Sequence, residues 1–274
     1  MMMHSGPAPA TRHTRWRRPH TMIPDRRWRI GLALAAVLYL GAAISSVDVN
    51  WVRVWDGLER GARFIQGFFP PDFVSRWPDM SQGLVESLTM TVTSTVVGIA
   101  ISIPVGLGAA RNLAPRPVYH LCRAVIAVSR SLQEIIIAIL FVAMFGFGPF
   151  AGFLTLSFAT IGFLAKLLAE DIEDIDPVQV EAIRSTGASW AQVINYAVQP
   201  QVMPRLIGLS LYRLDINFRE SAVIGIVGAG GIGATLNTAM DRYEFDSAAA
   251  ILLIIIAVVM VAEYLSGYVR KWVQ

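Results

Sequence analysis

From Leu88 to Ala110 no side chain carries a charge, and five further stretches are of similar length and largely apolar. A helix needs about 20 apolar residues to cross the hydrocarbon core of a bilayer. Ile30–Val47 is clean, Leu88–Ala110 is clean but rich in Thr and Ser, and Ser131–Phe147 carries Gln133 and Glu134 only at its start. Phe150–Ala169 holds Lys166 near its end, and Ala248–Val269 contains the run Ile251 to Ile256 with Glu263 near one end. Leu206–Val227 is long enough but includes Arg213, Asp215, Arg219 and Glu220. Lipid cannot satisfy an open sheet edge, so each stretch is expected to be a helix and the fold all-α, with six transmembrane helices. Composition agrees: 16% of residues are charged and the mean hydropathy is +0.52, against about 25% charged in soluble domains. High apolar content with a net charge of +3 excludes a disordered chain, and Cys122, alone, excludes an internal disulfide framework.

Basic residues set the orientation, because Lys and Arg loops stay cytoplasmic. With six crossings, the tail (Arg12 to Arg29), the loop after the second span (Arg111, Arg116, Arg123, Arg130), Arg184, Arg205, Arg270 and Lys271 fall on one side. Arg53, Arg60, Arg63, Arg76 and Arg242 fall on the other. Both termini are therefore expected in the cytoplasm of a multi-pass inner-membrane protein. The basic pI of about 9.2 is accounted for by orientation, and no nucleic-acid partner is expected. The reading divides the chain into a basic tail (1–29), a first transmembrane helix (30–47), an extracytoplasmic amphipathic segment (48–83) and a membrane domain (84–270). Arg26-Arg27-Trp28 before an apolar run also fits a twin-arginine or secretory signal, but an uncleaved first span is favoured because more spans follow. His4, His13 and His20 fit no metal template and are read as solvated tail residues. In the segment 48–83, Trp51, Trp55, Leu58, Phe64, Ile65, Phe68 and Phe69 interleave with Asp and Arg, which suits an interfacial helix on membrane lipid, ended by Pro70-Pro71.

The segment 170–205 is too long for a simple connector. Asp176 can cap a short helix with Pro177 at its first position, Gly187 can end it, Ser189 with Gln192 can cap a second, and Pro200 stops that one. Two capped helices imply a built cytoplasmic surface.

Within that segment, Glu181-Ala182-Ile183, then Gly187, Ala197, and Gln199-Pro200 resemble the EAA loop of ABC-importer permeases, whose pattern is Glu-Ala-Ala, three residues, Gly, nine, Ile, one, Leu-Pro. Ile183, Ala197 and Gln199 depart from it while the spacing holds. Ala109-Ala-Arg-Asn-Leu-Ala-Pro115, Phe69-Pro-Pro-Asp72, Gly146-Phe-Gly-Pro-Phe150, Glu170 to Asp176, and Leu211 to Gly233 are similar to phosphonate ABC-transporter permeases, over roughly residues 48–270. One departure is Gln133, where that family tends to have Pro. The resemblance implies a five-helix importer core preceded by one extra helix. It implies a coupling loop in which Glu181, Ala182, Ile183, Gly187 and Pro200 engage a separate ATPase, and no cofactor. The partners it implies are an ATP-binding subunit pair, an extracytoplasmic phosphonate-binding protein and a second permease copy, identical or paralogous. Phosphite permeases look similar, so that substrate is the alternative.

Charge inside a span costs at least ~2.5 kcal/mol per residue and normally faces protein or water. Arg213, Asp215, Asn217, Arg219 and Ser221 are the candidate translocation-path residues, with Arg suited to oxyanions by its forked donors. The alternative is that the helix starts later and leaves these charges at the cytoplasmic interface. Asp215 and Arg219 can pair at i,i+4, whereas Arg213 and Glu220, seven apart, share a face and are not expected to bond directly. Gly228-Ala-Gly-Gly-Ile-Gly233 matches a dinucleotide fingerprint in letters only, since no βαβ unit encloses it, and is read as a break for close packing or a turn. No Walker A sequence occurs, so the chain is expected to be a transport subunit without its own ATPase site. No metal spacing or nucleophile motif supports a catalytic residue. A secondary transporter is the reading from another class, but no internal repeat supports it.

Overall fold

A computed structural model describes residues 26–46 and 50–273. The histidine-bearing tail lies outside the described residues. Every regular element among those described is helical. The chain divides into two units, Met1–Gly61 and Ala62–Gln274. In the first, α1 (Arg26–Ser45) buries none of its side chains, as befits a helix solvated by hydrocarbon. Next comes α2 (Trp51–Gln66), amphipathic as expected but stopping before Pro70-Pro71; its last residues belong to the second unit.

The second unit runs α3 (Trp77–Ala109), α4 (Arg116–Ser131), α5 (Glu134–Phe145), α6 (Pro149–Glu173), α7 (Pro177–Ser185), α8 (Trp190–Val193), α9 (Gln199–Ile224), α10 (Gly231–Asp241) and α11 (Phe245–Val273). Its central pair is α3 and α6, in contact along most of their length. Small residues permit this: a Cβ on Gly98 would overlap Thr160, and one on Gly106 would lie 2.9 Å from Leu168. Helices in lipid gain nothing from hiding apolar surface from one another, so close backbone approach supplies the packing energy instead.

Among the described residues four helices are long and apolar enough to cross a membrane, and six crossings result if two bent pairs each count as one. One pair corrects the expected third span. Residues 116–131, read as a loop, form α4, and the chain bends by 96° before α5. At 12 residues α5 spans only about 18 Å, short of a bilayer core. Gln133 sits at that bend with φ −74° and ψ 144°, the conformation that Pro prefers, so the departure from Pro keeps the geometry.

Candidate functional site

The loop between α6 and α9 is built as its capping residues dictate. Asp176 accepts the Val178 N–H at 2.9 Å, and the Gln192 side chain accepts the Ser189 N–H at 2.7 Å within a capping box. Gly187 ends the α7 turn at φ +79°, where a side chain is strained although space is open around it. Val180, Val193 and Ala197 form a small core, joined by the partly buried Ile183. Two departures from the EAA pattern thus meet in one cluster: a larger Ile183 where Ala is usual stands beside a smaller Ala197 where Ile is usual, which offsets their volumes. Glu181, Ala182 and Pro200 are exposed, and among the described residues Glu181 has no hydrogen-bond partner.

Pro200 does not stop the second helix. A π-turn over Ile194–Val198 widens the spiral, and the helix continues as α9. The wider turn removes the clash that Pro200 would make with a carbonyl four residues back. The backbone is therefore helical from Trp190 to Ile224. At the base of the loop, Glu173 accepts the Arg111 N–H at 2.8 Å and pairs with Arg123 at 2.9 Å, while the Asn112 amide donates to the Ile172 carbonyl at 2.7 Å. The Ala-Ala-Arg-Asn-Leu-Ala-Pro motif is thus a clamp that ties the end of α3 to the end of α6.

The charges of α9 lie well inside the helix, not at its start. Arg213 is 3% exposed, and Asn217 and Ser221 are fully buried. At 100° per residue, Arg213, Asn217 and Glu220 share one face while Asp215 and Arg219 lie on the opposite one. On the first face the Asn217 amide donates to Thr95 at 2.8 Å and to Thr160 at 3.0 Å, linking α9 to α3 and α6. Arg213 Nε donates to Thr160 Oγ1 at 3.2 Å, and its guanidinium lies 5.5 Å from the centre of the Phe163 ring. Arg213 Nη2 also reaches Glu220 at 3.2 Å and Glu134 at 3.8 Å. The direct Arg213–Glu220 bond corrects the expectation that seven residues is too far. The two Cα atoms stand about 10 Å apart along the axis, and two long side chains span that by reaching towards each other. A cavity of about 410 Å³ opens beside Arg213, lined by Ser129, Arg130, Ser131, Gln133 and Glu134 among others.

On the opposite face Arg219 pairs with Asp215 at 2.6 Å, as the i,i+4 spacing predicts, with Arg219 half exposed and Asp215 buried. The structure thus brings Arg213 and Asn217 together and sets Asp215 and Arg219 apart from them. Ser221 donates back to the Phe218 carbonyl at 2.7 Å, and Ser94 to the Thr91 carbonyl at 3.1 Å. Glu134, Thr160 and Phe163 join the Arg213 group only through tertiary packing; the one hint in the sequence is a carboxylate heading an otherwise apolar run.

Beyond α9 the Gly-rich segment makes a tight turn, with Gly228, Gly230 and Gly231 at φ +94°, +78° and +73°. A Cβ on Gly233 would strike the Ala222 carbonyl. The segment serves both as a turn and as a close contact. Near this end Arg76 bridges Asp79 and Glu244, each at 2.7 Å; the two carboxylates hold its guanidinium charged, above its ordinary pKa.

Residues 102–274 match the family described as binding-protein-dependent transport system inner membrane component. The chain belongs to that family. It is 40% identical to the phosphate-import permease protein PhnE of Mycolicibacterium smegmatis over 90% of its own length, but spans only 47% of that relative. It is 38% identical to the phosphite transport system permease protein PtxC of Stutzerimonas stutzeri, over 88% of this chain and 86% of that one. Over 43% of the chain it is 48% identical to 97% of PhnE2 of Escherichia coli, named for a cryptic phosphonate transport system. Among solved structures, an inward-facing MetNI methionine ABC transporter chain aligns with a TM-score of 0.62 at 24% identity, covering 71% of this chain and 96% of that one, which shows the fold.

Proposed function

We propose that the chain is the membrane-spanning permease subunit of an ABC importer for phosphorus oxyanions, phosphonates first and phosphite as the alternative. A separate ATPase pair drives it through the loop 170–205, an extracytoplasmic binding protein delivers the substrate, and a second permease copy completes the path. The names of the three relatives given above each point to a phosphorus oxyanion and differ on which one. Both termini and the 170–205 loop lie on the cytoplasmic side, and the segment 48–83 lies outside.

The observation that carries the reading is the unbroken helix from the capped loop to the Arg213 group. Val193 and Arg213 are 20 residues apart along it, about 30 Å. A push on the α7–α8 surface is therefore delivered to the polar group as a rigid tilt, and the Gly-rich turn after Ile224 absorbs the difference. Glu181, exposed and unpaired, contacts the ATPase. Arg213 offers the passing anion its forked donors, and Glu134 and Glu220 compete for the same donors, which keeps binding weak enough for release.

Co-reconstitution with the ATPase and the binding protein tests this. Solute-stimulated ATP hydrolysis should respond to phosphonates or phosphite and not to methionine. Gly187→Val, strained at φ +79°, should leave ATP hydrolysis running while uptake falls, whereas Gly187→Asn should retain most coupling. Full coupling in Gly187→Val removes the lever.

A further inference from the structure

One charge that the sequence places in a loop lies deep in the fold. Arg130 is near the end of α4, and α4 climbs along α6 from the last turn of that helix towards its middle. Arg123 pairs with Glu173, Ile126 clusters with Ala165 and Ala169, and Ser129 Oγ donates to the Phe158 carbonyl at 2.8 Å. A Cβ on Gly162 would lie 3.4 Å from Cγ of Arg130. Phe158 and Gly162 flank the midpoint of α6, whose 25 residues are long and apolar enough to cross a membrane. Arg130 therefore stands near mid-membrane, at the level where Arg213 meets Thr160. Headgroup phosphates begin about 15 Å from that depth, too far for the side chain to reach by snorkelling. Yet Arg130 is exposed and has no hydrogen-bond or ion-pair partner among the described residues.

A bare cation is costly against hydrocarbon, so the side of α4 that carries Arg130 faces water or an anion. Its surroundings agree. Arg130 lines the same cavity of about 410 Å³ as Arg213, and Ser131 and Gln133 are exposed there too. The other side of α4 is apolar, with Leu121, Val125 and Val128 exposed, which suits lipid. The two arginines of the cavity also differ. Arg213 is nearly inaccessible and engaged by Thr160, Glu134 and Glu220, whereas the donors of Arg130 are open. We propose, resting on the oxyanion-permease reading above, that Arg130 first receives the phosphorus oxyanion in the path, with Arg213 behind it. A guanidinium meets the oxygens of a tetrahedral anion with paired donors. Glu134 lines the same cavity and repels the anion, so the anion is handed on and not held.

Two measurements on the complex of permease, ATPase and binding protein test this. For the first, Cys122→Ala removes the one cysteine of the chain, and Arg130→Cys or Val128→Cys is added to it. Val128 is exposed two residues away, about 160° around α4. A membrane-impermeant methanethiosulfonate should modify Arg130→Cys at least about tenfold faster than Val128→Cys, because the reactive thiolate forms in water and not in hydrocarbon. Equal rates, or a faster reaction at position 128, would overturn the proposal whatever the substrate. For the second, uptake of methylphosphonate and of phosphite is measured at saturating binding protein, with assembly checked by co-purification. Arg130→Gln should cut uptake about tenfold and Arg130→Glu should abolish it, while Arg130→Lys, which keeps the charge but not the fork, should fall between Arg130→Gln and the unmodified protein. Uptake at the unmodified rate by Arg130→Gln or Arg130→Glu would overturn the role of Arg130 and leave the permease reading standing. No uptake of either anion by the unmodified complex would overturn both.

Discussion

Two faces of α9 hold charge inside the membrane by different means. On one face Arg213 has partners from α6, α5 and its own helix, and Asn217 bonds α3 and α6 at once. On the other, Asp215 and Arg219 form a single pair, with one carboxylate oxygen buried and without a hydrogen-bond partner among the described residues. The first face is shared with three neighbouring helices and borders a polar cavity; the second is nearly self-contained. A charge that several helices cooperate to hold costs the fold more to remove, and it is placed where a change of helix tilt alters its surroundings. Function is therefore expected on the Arg213 face.

Substitutions can break or sharpen that contrast. Arg213→Leu strands Glu220 and Glu134, and with both carboxylates partly exposed the loss should be about 3 kcal/mol, read as a fall in Tm or in denaturant midpoint. Asn217→Leu conserves shape but removes the cross-helix bonds. Thr95 and Thr160 still donate to backbone carbonyls at 2.6 Å, so the cost should be about 2 kcal/mol. Arg219→Gln keeps an amide donor for Asp215 and should cost about 1 kcal/mol in the same assay. Asp176→Ala, which touches neither face, removes one cap and should cost about 1 kcal/mol or slightly less, confined to the loop and visible as faster amide exchange in α7. If Arg219→Gln proved costlier than Arg213→Leu, the ranking of the two faces would reverse.

Much of the architecture was legible because hydrocarbon tolerates so little: uncharged runs located the long helices to within a few residues at several of their ends. The loop was legible for a local reason, since Asp176, Ser189, Gln192 and Gly187 act within a turn of where they stand. The 96° bend before α5 was not, because it depends on a backbone conformation at Gln133 that no periodicity encodes. Nor was the passage of helix through Pro200, which needs a π-turn upstream. The candidate path residues are neighbours in sequence, yet helical rotation divides them between two faces. The partners that single out the Arg213 face, Thr160, Glu134 and Phe163, come from other helices. The offset between Ile183 and Ala197 likewise becomes visible only once both are seen in one cluster.

The most direct test of the account compares oxyanion uptake by Arg213→Gln and Arg219→Gln, each reconstituted with the ATPase and the binding protein, with co-purification confirming that both complexes assemble. The account predicts that Arg213→Gln loses about tenfold or more in uptake, a change of about 1.4 kcal/mol or more, while Arg219→Gln stays close to the unmodified protein. Normal uptake by an assembled Arg213→Gln complex, or the larger loss in Arg219→Gln, would contradict it.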